Sequence, residues 1–328
     1  MKYRKLGKTG FDISEVSLGT WQLGGRWGEP FNEDTAFEIL DKSCKSGINF
    51  IDTADVYNGG LSEKAIGRFL KGKRERIYVA TKCGRKLNPH VADGYNGSNI
   101  REFTETSLKN MDVDVIDLIQ LHCPPTEVYY RMEAFEELDR LKDEGKILHY
   151  GVSVEKVEEA IKAIEFPGVA TVQIIFNMFR QRPAELFFKE AAKRNVGIIV
   201  RVPLASGLLT GKFDRDTTFG KDDHRFYNRD GKYFDKGETF SGVEYEKGLL
   251  AVEELKNLFG GSQYLAVMAL KWVLMFDEVS CVIPGASNVS QVEANNKVSE
   301  MPPLSQEQME VVKEIYEKYV KLPVHYLW

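Results

Sequence analysis

The chain has only four cysteines, Cys44, Cys83, Cys123 and Cys281, and no C-x-x-C pair. That argues against a disulfide framework or a structural zinc site and leaves reduced thiols in a cytoplasmic setting as the expectation. Its five histidines form no ligand-spaced cluster, so no metal is expected. No run comes near the roughly 18 apolar residues that read as a membrane span. The basic opening Met1–Gly10 is not followed by the apolar stretch of a secretory signal. Positive charge is not in excess. With 44 Lys and Arg against 49 Asp and Glu the net charge is −5, which argues for solubility and weakly against a nucleic-acid surface. Also missing is a Gly-x-Gly-x-x-Gly after the first strand, the usual dinucleotide fingerprint of an open sheet.

What is present is ordinary globular composition, 43% apolar and 28% charged over 328 residues, which excludes a disordered or fibrous chain. Short runs rich in Val and Ile alternate with amphipathic segments along nearly the whole length. The runs are Glu15–Leu23, Asn49–Thr53, Ile77–Lys82, Val115–His122, His149–Val154, Thr171–Phe176, Gly197–Val202 and Val279–Ile283. Apolar on both faces, they predict strands of a buried parallel sheet. Helices are predicted over Asp34–Ser46, Ser62–Lys71, Ser98–Met111, Arg131–Glu144, Glu155–Ile164, Ala184–Asn195 and Ser262–Phe276. Ser62, Ser98 and Ser153 are placed to cap helices, and Ser305–Gln308 fits a capping box. Eight strands with helices between them predict a (β/α)₈ TIM barrel, one domain over residues 1–328, with an open doubly wound sheet as the alternative. The stretch 204–244 has weak periodicity and several aromatics, including Phe226, Tyr227, Tyr233 and Phe234. It reads as a loop covering a site after the seventh strand, with a solvated insertion as the alternative.

A barrel's active site lies at the C-terminal ends of its strands. Asp52, Lys82 and His122 all follow apolar runs on neighbouring strands, and Tyr57 follows Asp52 by one turn. Each is weak evidence alone: an Asp after a strand is usually a cap, and Lys82 by itself also suits a Schiff-base aldolase. Together they are specific. An ammonium beside a phenol lowers its pKa from about 10, so Tyr57 is expected to act as an acid near neutral pH. Asp52 would orient Lys82, and His122 would hydrogen-bond a substrate oxygen. That set suits a carbonyl that becomes an alkoxide and is then protonated.

Asp52-Thr-Ala-x-x-Tyr57, Lys82 and Leu121-His122-x-Pro124 strongly resemble the tetrad of the aldo-keto reductases. The resemblance runs along the chain through Leu-Gly-Lys-Thr-Gly (6–10), Leu-Gly-Thr-Trp (18–21), Gly151-Val-Ser153, Pro203 to Lys212, and Ile283 to Asn288. The overall look resembles the bacterial branch that is also similar to voltage-gated potassium channel β subunits. It implies a nicotinamide cofactor, NADPH with NADH as the alternative, extended across the barrel mouth. Hydride transfer would be reversible between nicotinamide C4 and an aldehyde or ketone, sugar-derived ones among them. By resemblance, Ser153 and Gln173 hold the carboxamide, with Asn177 farther along the same strand end. Pro203, Leu204, Ser206 and Lys212 lie over the pyrophosphate. Arg225 stands near the adenosine phosphate, and Gly285, Ser287, Gln291 and Asn295 take the adenosine end. Arg201 departs from the Tyr or Trp common at that place. It is expected either to stack on the ring or to pair with an acidic neighbour. No basic residue stands at Ser287 or Asn288, where some relatives pair with a 2′-phosphate. Gly207 to Phe213 is one residue short of a P-loop and lacks its Ser or Thr.

Trp21, Trp27, Pro124 and the loop 85–99 are candidate pocket walls. The tail His325 to Trp328 is expected either over the site or on the barrel exterior. Cys83 and Cys123 adjoin tetrad residues and read as buried small side chains. The reading is a cytoplasmic reductase of small carbonyl substrates with no membrane or nucleic-acid partner. A weakly catalytic redox-sensing subunit of the channel β type is the alternative.

Overall fold

In the computed structural model, which describes residues 1–25 and 29–328, the chain opens with an antiparallel hairpin. Strands β1 (Tyr3–Lys5) and β2 (Asp12–Ser14) pair Tyr3 with Ser14 and Lys5 with Asp12. Leu6, Phe11 and Ile13 of this hairpin are buried against Phe50, Ala80, Leu118, Ile199 and Cys281, so it plugs the bottom of the barrel.

The barrel strands then pair in parallel and in chain order. They are β3 (Leu18–Gly19), β4 (Phe50–Asp52), β5 (Tyr78–Cys83), β6 (Ile116–His122), β7 (Ile147–Ser153), β8 (Val169–Ile175), β9 (Gly197–Arg201) and β10 (Val279–Val282). The sheet closes where Val16 meets Val282 and Gly19 meets Gly285, with Ser17 N–H donating to Val282 O and Val282 N–H to Glu15 O, each at 2.9 Å. Closure requires glycine at position 19, because a Cβ there would lie 2.6 Å from Ile283 O. The eight-stranded barrel is therefore present. Its first strand is much shorter than the run Glu15–Leu23 suggested, since residues 20–23 leave the ladder and turn into the mouth.

Strand alternation sorts the interior into layers. Phe50, Ala80, Leu118 and Ile199 form the apolar floor. Two residues further along each strand come Asp52, Lys82, Gln120 and Arg201, so the same period of two brings the polar side chains to the upper end. The register sets His122 beside Ser153, and Ser153 beside Gln173.

Outside the barrel lie α1 (Glu33–Lys45), α2 (Leu61–Leu70), α3 (Gly97–Met111), α4 (Glu133–Asp143), α5 (Val157–Ala163) and α6 (Phe187–Lys193). The start of α1 is capped by Asn32, whose side chain accepts from Thr35 N–H at 2.8 Å, with Glu33 and Asp34 in the first turn and Lys42 and Lys45 in the last. The serine caps expected at Ser62, Ser98 and Ser153 are not formed. Asn96 caps α3, Ser62 lies inside α2 bonded to Thr53 and Thr20, and Ser153 is the last residue of β7. The Asn96 side-chain carbonyl accepts from Asn99 N–H at 3.0 Å, so the cap of α3 lies two residues before Ser98 and that serine falls in the first turn. Residues 204–244 carry 3₁₀ turns and the short α7 (His224–Tyr227). The chain continues with α8 (Tyr245–Phe259), which the sequence pattern had left unassigned, α9 (Ser262–Val273), α10 (Val289–Asn296) and α11 (Gln306–Tyr316). The capping box of Ser305 and Gln308 opens α11.

Candidate active site

Lys82 is the hub of the site. Its ammonium, on a side chain 1% exposed, donates to Asp52 Oδ1 at 2.6 Å, Thr53 O at 2.8 Å and Tyr57 Oη at 3.3 Å. Strands β4 and β5 bring this pair together, and the turn after β4 swings Tyr57 back over the lysine. Asp52 Oδ2 accepts from Gln173 at 2.7 Å and from Gln120 at 3.3 Å, so the carboxylate is bonded on both oxygens. The His122 ring stands edge-on to Tyr57 with ring centroids 6.0 Å apart. The four expected residues therefore converge on one point at the mouth.

The electrostatics differ from the expectation in one respect. Burial pushes the Tyr57 phenol above its ordinary value, outweighing the attraction of Lys82, and Asp52 and Glu238 add to the rise. The expected lowering fails because taking the phenol out of water disfavours its charged form by more than the Lys82 ammonium favours it. A phenol held protonated is still a competent donor to an alkoxide, which is a far stronger base. For Lys82, burial works against the charged form, but Asp52 and Tyr57 overcome it and hold its pKa up. Burial, together with Arg85, Lys82 and Arg201, pushes His122 well below the usual imidazole range, so the ring is neutral. Among the described residues its Nδ1 has no hydrogen-bond partner, and Nε2 lies 3.5 Å from Arg85 Nη1.

The residues expected at the cofactor fall into three groups. Ser153 and Gln173 line the tetrad. Ser153 Oγ is 3.4 Å from Cys123 Sγ, and the Gln173 amide N–H is taken by Asp52. Asn177 is engaged elsewhere, donating to Val202 O at 2.9 Å and Ser241 Oγ at 2.8 Å and accepting from Phe179 N–H. It ties the end of β8 to the covering loop. Pro203 is buried and Leu204 half-buried just past β9. Ser206 pins the loop by donating to Glu238 O at 2.7 Å, and the Lys212 side chain is exposed. Arg225 is clasped by Asp223 at 2.9 and 3.0 Å and stacks over Phe219. At the opposite rim, Gly285 bridges Gly19, Ser287 N–H donates to Gln291 Oε1 at 2.7 Å, and Asn295 reaches back to Gly285 O. Asn288, not Ser287, caps α10.

Of the two readings of Arg201, the structure forms the ion pairs. Its guanidinium meets Glu155 at 2.9 Å and Glu238 at 3.4 Å and donates to Val154 O at 3.1 Å. Glu238 also takes Arg85 at 3.0 Å. This network was not foreseen, because Glu238 comes from the irregular covering loop. The tail is buried at the same loop. Trp328, 4% exposed, lies under Arg180 with 4.4 Å from guanidinium carbon to ring centroid, and its Nε1 donates to Asp235 at 2.9 Å. It fills the space at Gly242 (φ +72°), where a Cβ would come within 2.1 Å of the indole.

On the substrate side, Trp21 stacks near Tyr57 with centroids 6.4 Å apart and lies 5.0 Å from the His224 ring. Pro124 is buried beside Cys123, and Trp27 falls outside the described residues. Phe234 of the covering loop joins this wall, 6.4 Å from Trp21 and 5.5 Å from the Arg85 guanidinium. Burial pushes the Cys123 thiol up to about 12 and raises Cys83 as well, in keeping with inert packing.

Fold and site together define a barrel oxidoreductase with an Asp–Lys–Tyr unit and a neutral histidine at its mouth. The sequence pattern of the aldo/keto reductase family matches residues 15–317, and the chain belongs to that family, whose members use a nicotinamide cofactor. It is 31% identical to the aldo-keto reductase YhdN of Bacillus subtilis over 99% of this chain and 96% of that protein. It is 30% identical to the NADH-specific methylglyoxal reductase of Escherichia coli over 90% and 92%. A probable voltage-gated potassium channel subunit beta of Arabidopsis thaliana matches at 28% over 93% of each. The solved glycerol dehydrogenase AKR11B4 from Gluconobacter oxydans superposes with a TM-score of 0.78 at 31% identity, covering 98% of this chain and 97% of that one.

Proposed function

We propose that the chain is an NADPH-dependent aldo-keto reductase that reduces aldehydes or ketones reversibly, with Tyr57 as general acid. The observation that carries this reading is Lys82 bridging Asp52 at 2.6 Å and Tyr57 at 3.3 Å beside a neutral His122. When bound across the mouth, the cofactor supplies the hydride that adds to the carbonyl carbon. His122 hydrogen-bonds the carbonyl oxygen and polarises it. Tyr57 Oη gives its proton to that oxygen as charge builds there, and Lys82 stabilises the phenolate left behind. Asp52 keeps Lys82 charged and aimed, and Gln173 and Gln120 hold Asp52 in turn. In the oxidising direction the phenolate takes the alcohol proton.

The residues at the mouth suit an extended dinucleotide. His122 Nδ1 and Arg201 Nε are buried polar atoms lacking partners among the described residues. Ser287 and Gln291 stand at the start of α10, where backbone N–H groups favour phosphate, and the Asn295 side chain reaches back from its last turn to Gly285 O. Lys212, with an exposed side chain, is a covering-loop cation open to a 2′-phosphate, Arg225 is one only on leaving Asp223, and the NADH-specific relative keeps NADH as the alternative.

The test is titration with NADPH and NADH by tryptophan fluorescence, followed by a carbonyl panel with wild type and Tyr57→Phe. Wild-type turnover that vanishes in the variant, with cofactor binding retained, is expected. Near-normal turnover in the variant would overturn the assignment of the acid. Tight binding without wild-type turnover would favour a regulatory subunit.

A further inference from the structure

Beside His122 the wall of the cleft carries an unusual charge arrangement. One oxygen, Glu238 Oε1, bridges Arg85 at 3.0 Å and Arg201 at 3.4 Å. Behind them Arg180 donates to the Glu155 backbone carbonyl and packs on Trp328. Arg85 and Arg201 thus share the Glu238 carboxylate, and Arg201 also meets Glu155 at 2.9 Å. Burial pushes the Glu155 carboxyl up to about 8, with Arg201 opposing the rise and Glu238 reinforcing it. Glu238 is driven the other way. Burial works against its charge, but Arg85 and Arg201 win and keep it ionised. Asp235, the remaining acid there, accepts from Trp328 Nε1 at 2.9 Å and Gly237 N–H at 2.7 Å. The cluster is under-bonded. Among the described residues Arg201 Nε and Arg180 Nε and Nη1 have no hydrogen-bond acceptor.

Position gives this cluster its meaning. Arg85 Nη1 is 3.5 Å from His122 Nε2. A substrate oxygen held by that nitrogen at about 2.9 Å lies only a few ångström from the guanidinium. Glu238 belongs to neither wall of the barrel; it hangs from the covering loop, which Ser206 and Trp328 hold down. The cation next to the reacting oxygen, Arg85, is therefore bridged to a second one, Arg201, by a carboxylate on the covering loop.

We infer that Arg85 and Arg201 are a carboxylate-recognising pair, that the substrates are carbonyl compounds bearing a carboxylate a few carbons from the carbonyl, and that Glu238 fills the carboxylate's place in their absence. The inference rests on the carbonyl-reductase reading above. A carboxylate, rather than a phosphate or hydroxyl, follows from the chemistry and size of the group already seated between the guanidiniums. Displacement of Glu238 by substrate would exchange one charge-assisted contact for another and leave neither arginine stranded.

The experiment compares 4-oxobutanoate with its methyl ester, which share the reacting aldehyde and differ in charge, using either NADPH or NADH. In the wild type kcat/KM for the acid should exceed that for the ester by about tenfold or more, and the ratio should fall with added salt. Arg85→Met should bring the ratio to about one. Glu238→Gln keeps the shape of the loop and should raise the ratio several-fold, through a lower KM for the acid. A merely structural role for the cluster would slow both substrates alike and leave the ratio unmoved. A wild-type ratio of one or less, or a ratio unchanged in both variants, overturns the inference. Turnover of the ester alone overturns it while leaving the reductase reading intact. Turnover of neither substrate with either cofactor overturns both.

Discussion

Lys82→Met separates the stability of the site from its chemistry. The ammonium is buried and sits 2.6 Å from Asp52. Its removal strands a carboxylate in the barrel, with only the amides of Gln173 and Gln120 to solvate it. Breaking a buried ion pair from one side costs about 3–5 kcal/mol. Unfolding entropy of roughly 2.1 cal/mol/K per residue, over 328 residues, gives about 0.7 kcal/mol/K, so the melting temperature should fall by roughly 4–7 °C. Adding Asp52→Asn removes the stranded charge while keeping an acceptor for Gln173, and the double variant should recover more than half of the loss. Activity should not recover with it, because the phenolate of Tyr57 still lacks its cation. A deficit of about 10²–10⁴ in kcat, the usual worth of positioned acid–base catalysis, should persist in both variants. The assay is thermal unfolding followed by circular dichroism, paired with single-turnover reduction of an aldehyde. A double variant no more stable than Lys82→Met would refute the reasoning, since lost packing rather than a stranded charge would then explain the effect.

Two further outcomes follow from the same geometry. The Tyr57 phenol is raised and His122 is well below its ordinary value. On the proposed mechanism reduction draws on the protonated phenol and neutral imidazole and should be flat from about pH 6 to 9, whereas oxidation draws on the phenolate and should rise with pH across that range. A reduction rate that halves between pH 6 and 8 would contradict this. Trp328→Ala removes the ring packed under Arg180 and the donor to Asp235. It should loosen residues 235–242, seen as faster hydrogen exchange there, and weaken cofactor binding by about tenfold through faster release. Unchanged exchange would show that the loop holds its place without the tail.

The covering loop is the part of the site where structure adds most. Its aromatic residues marked it as more than a solvated insertion, and Phe234 does reach the wall beside Trp21 and Arg85. The loop carboxylate that joins Arg85 and Arg201, Glu238, carried no comparable signal. It is one acid among several in a stretch with no period, and its partners lie 153 and 37 residues away in sequence. Arg201 was conspicuous as a departure from the aromatic expected there, but its pairing with Glu155 and Glu238 needs three chain segments to meet.

The sequence by itself determined the barrel and the convergence of Asp52, Tyr57, Lys82 and His122. The reason is local: strand period and strand order decide which face a residue takes and which neighbour it has. Only the tertiary structure decided the direction of the Tyr57 shift, the fate of Arg201 and the seat of Trp328. Each depends on burial and on charges gathered from distant segments, and burial is a property of the whole packed chain. The amino-acid order therefore names the groups that can react, while packing sets their protonation and their partners.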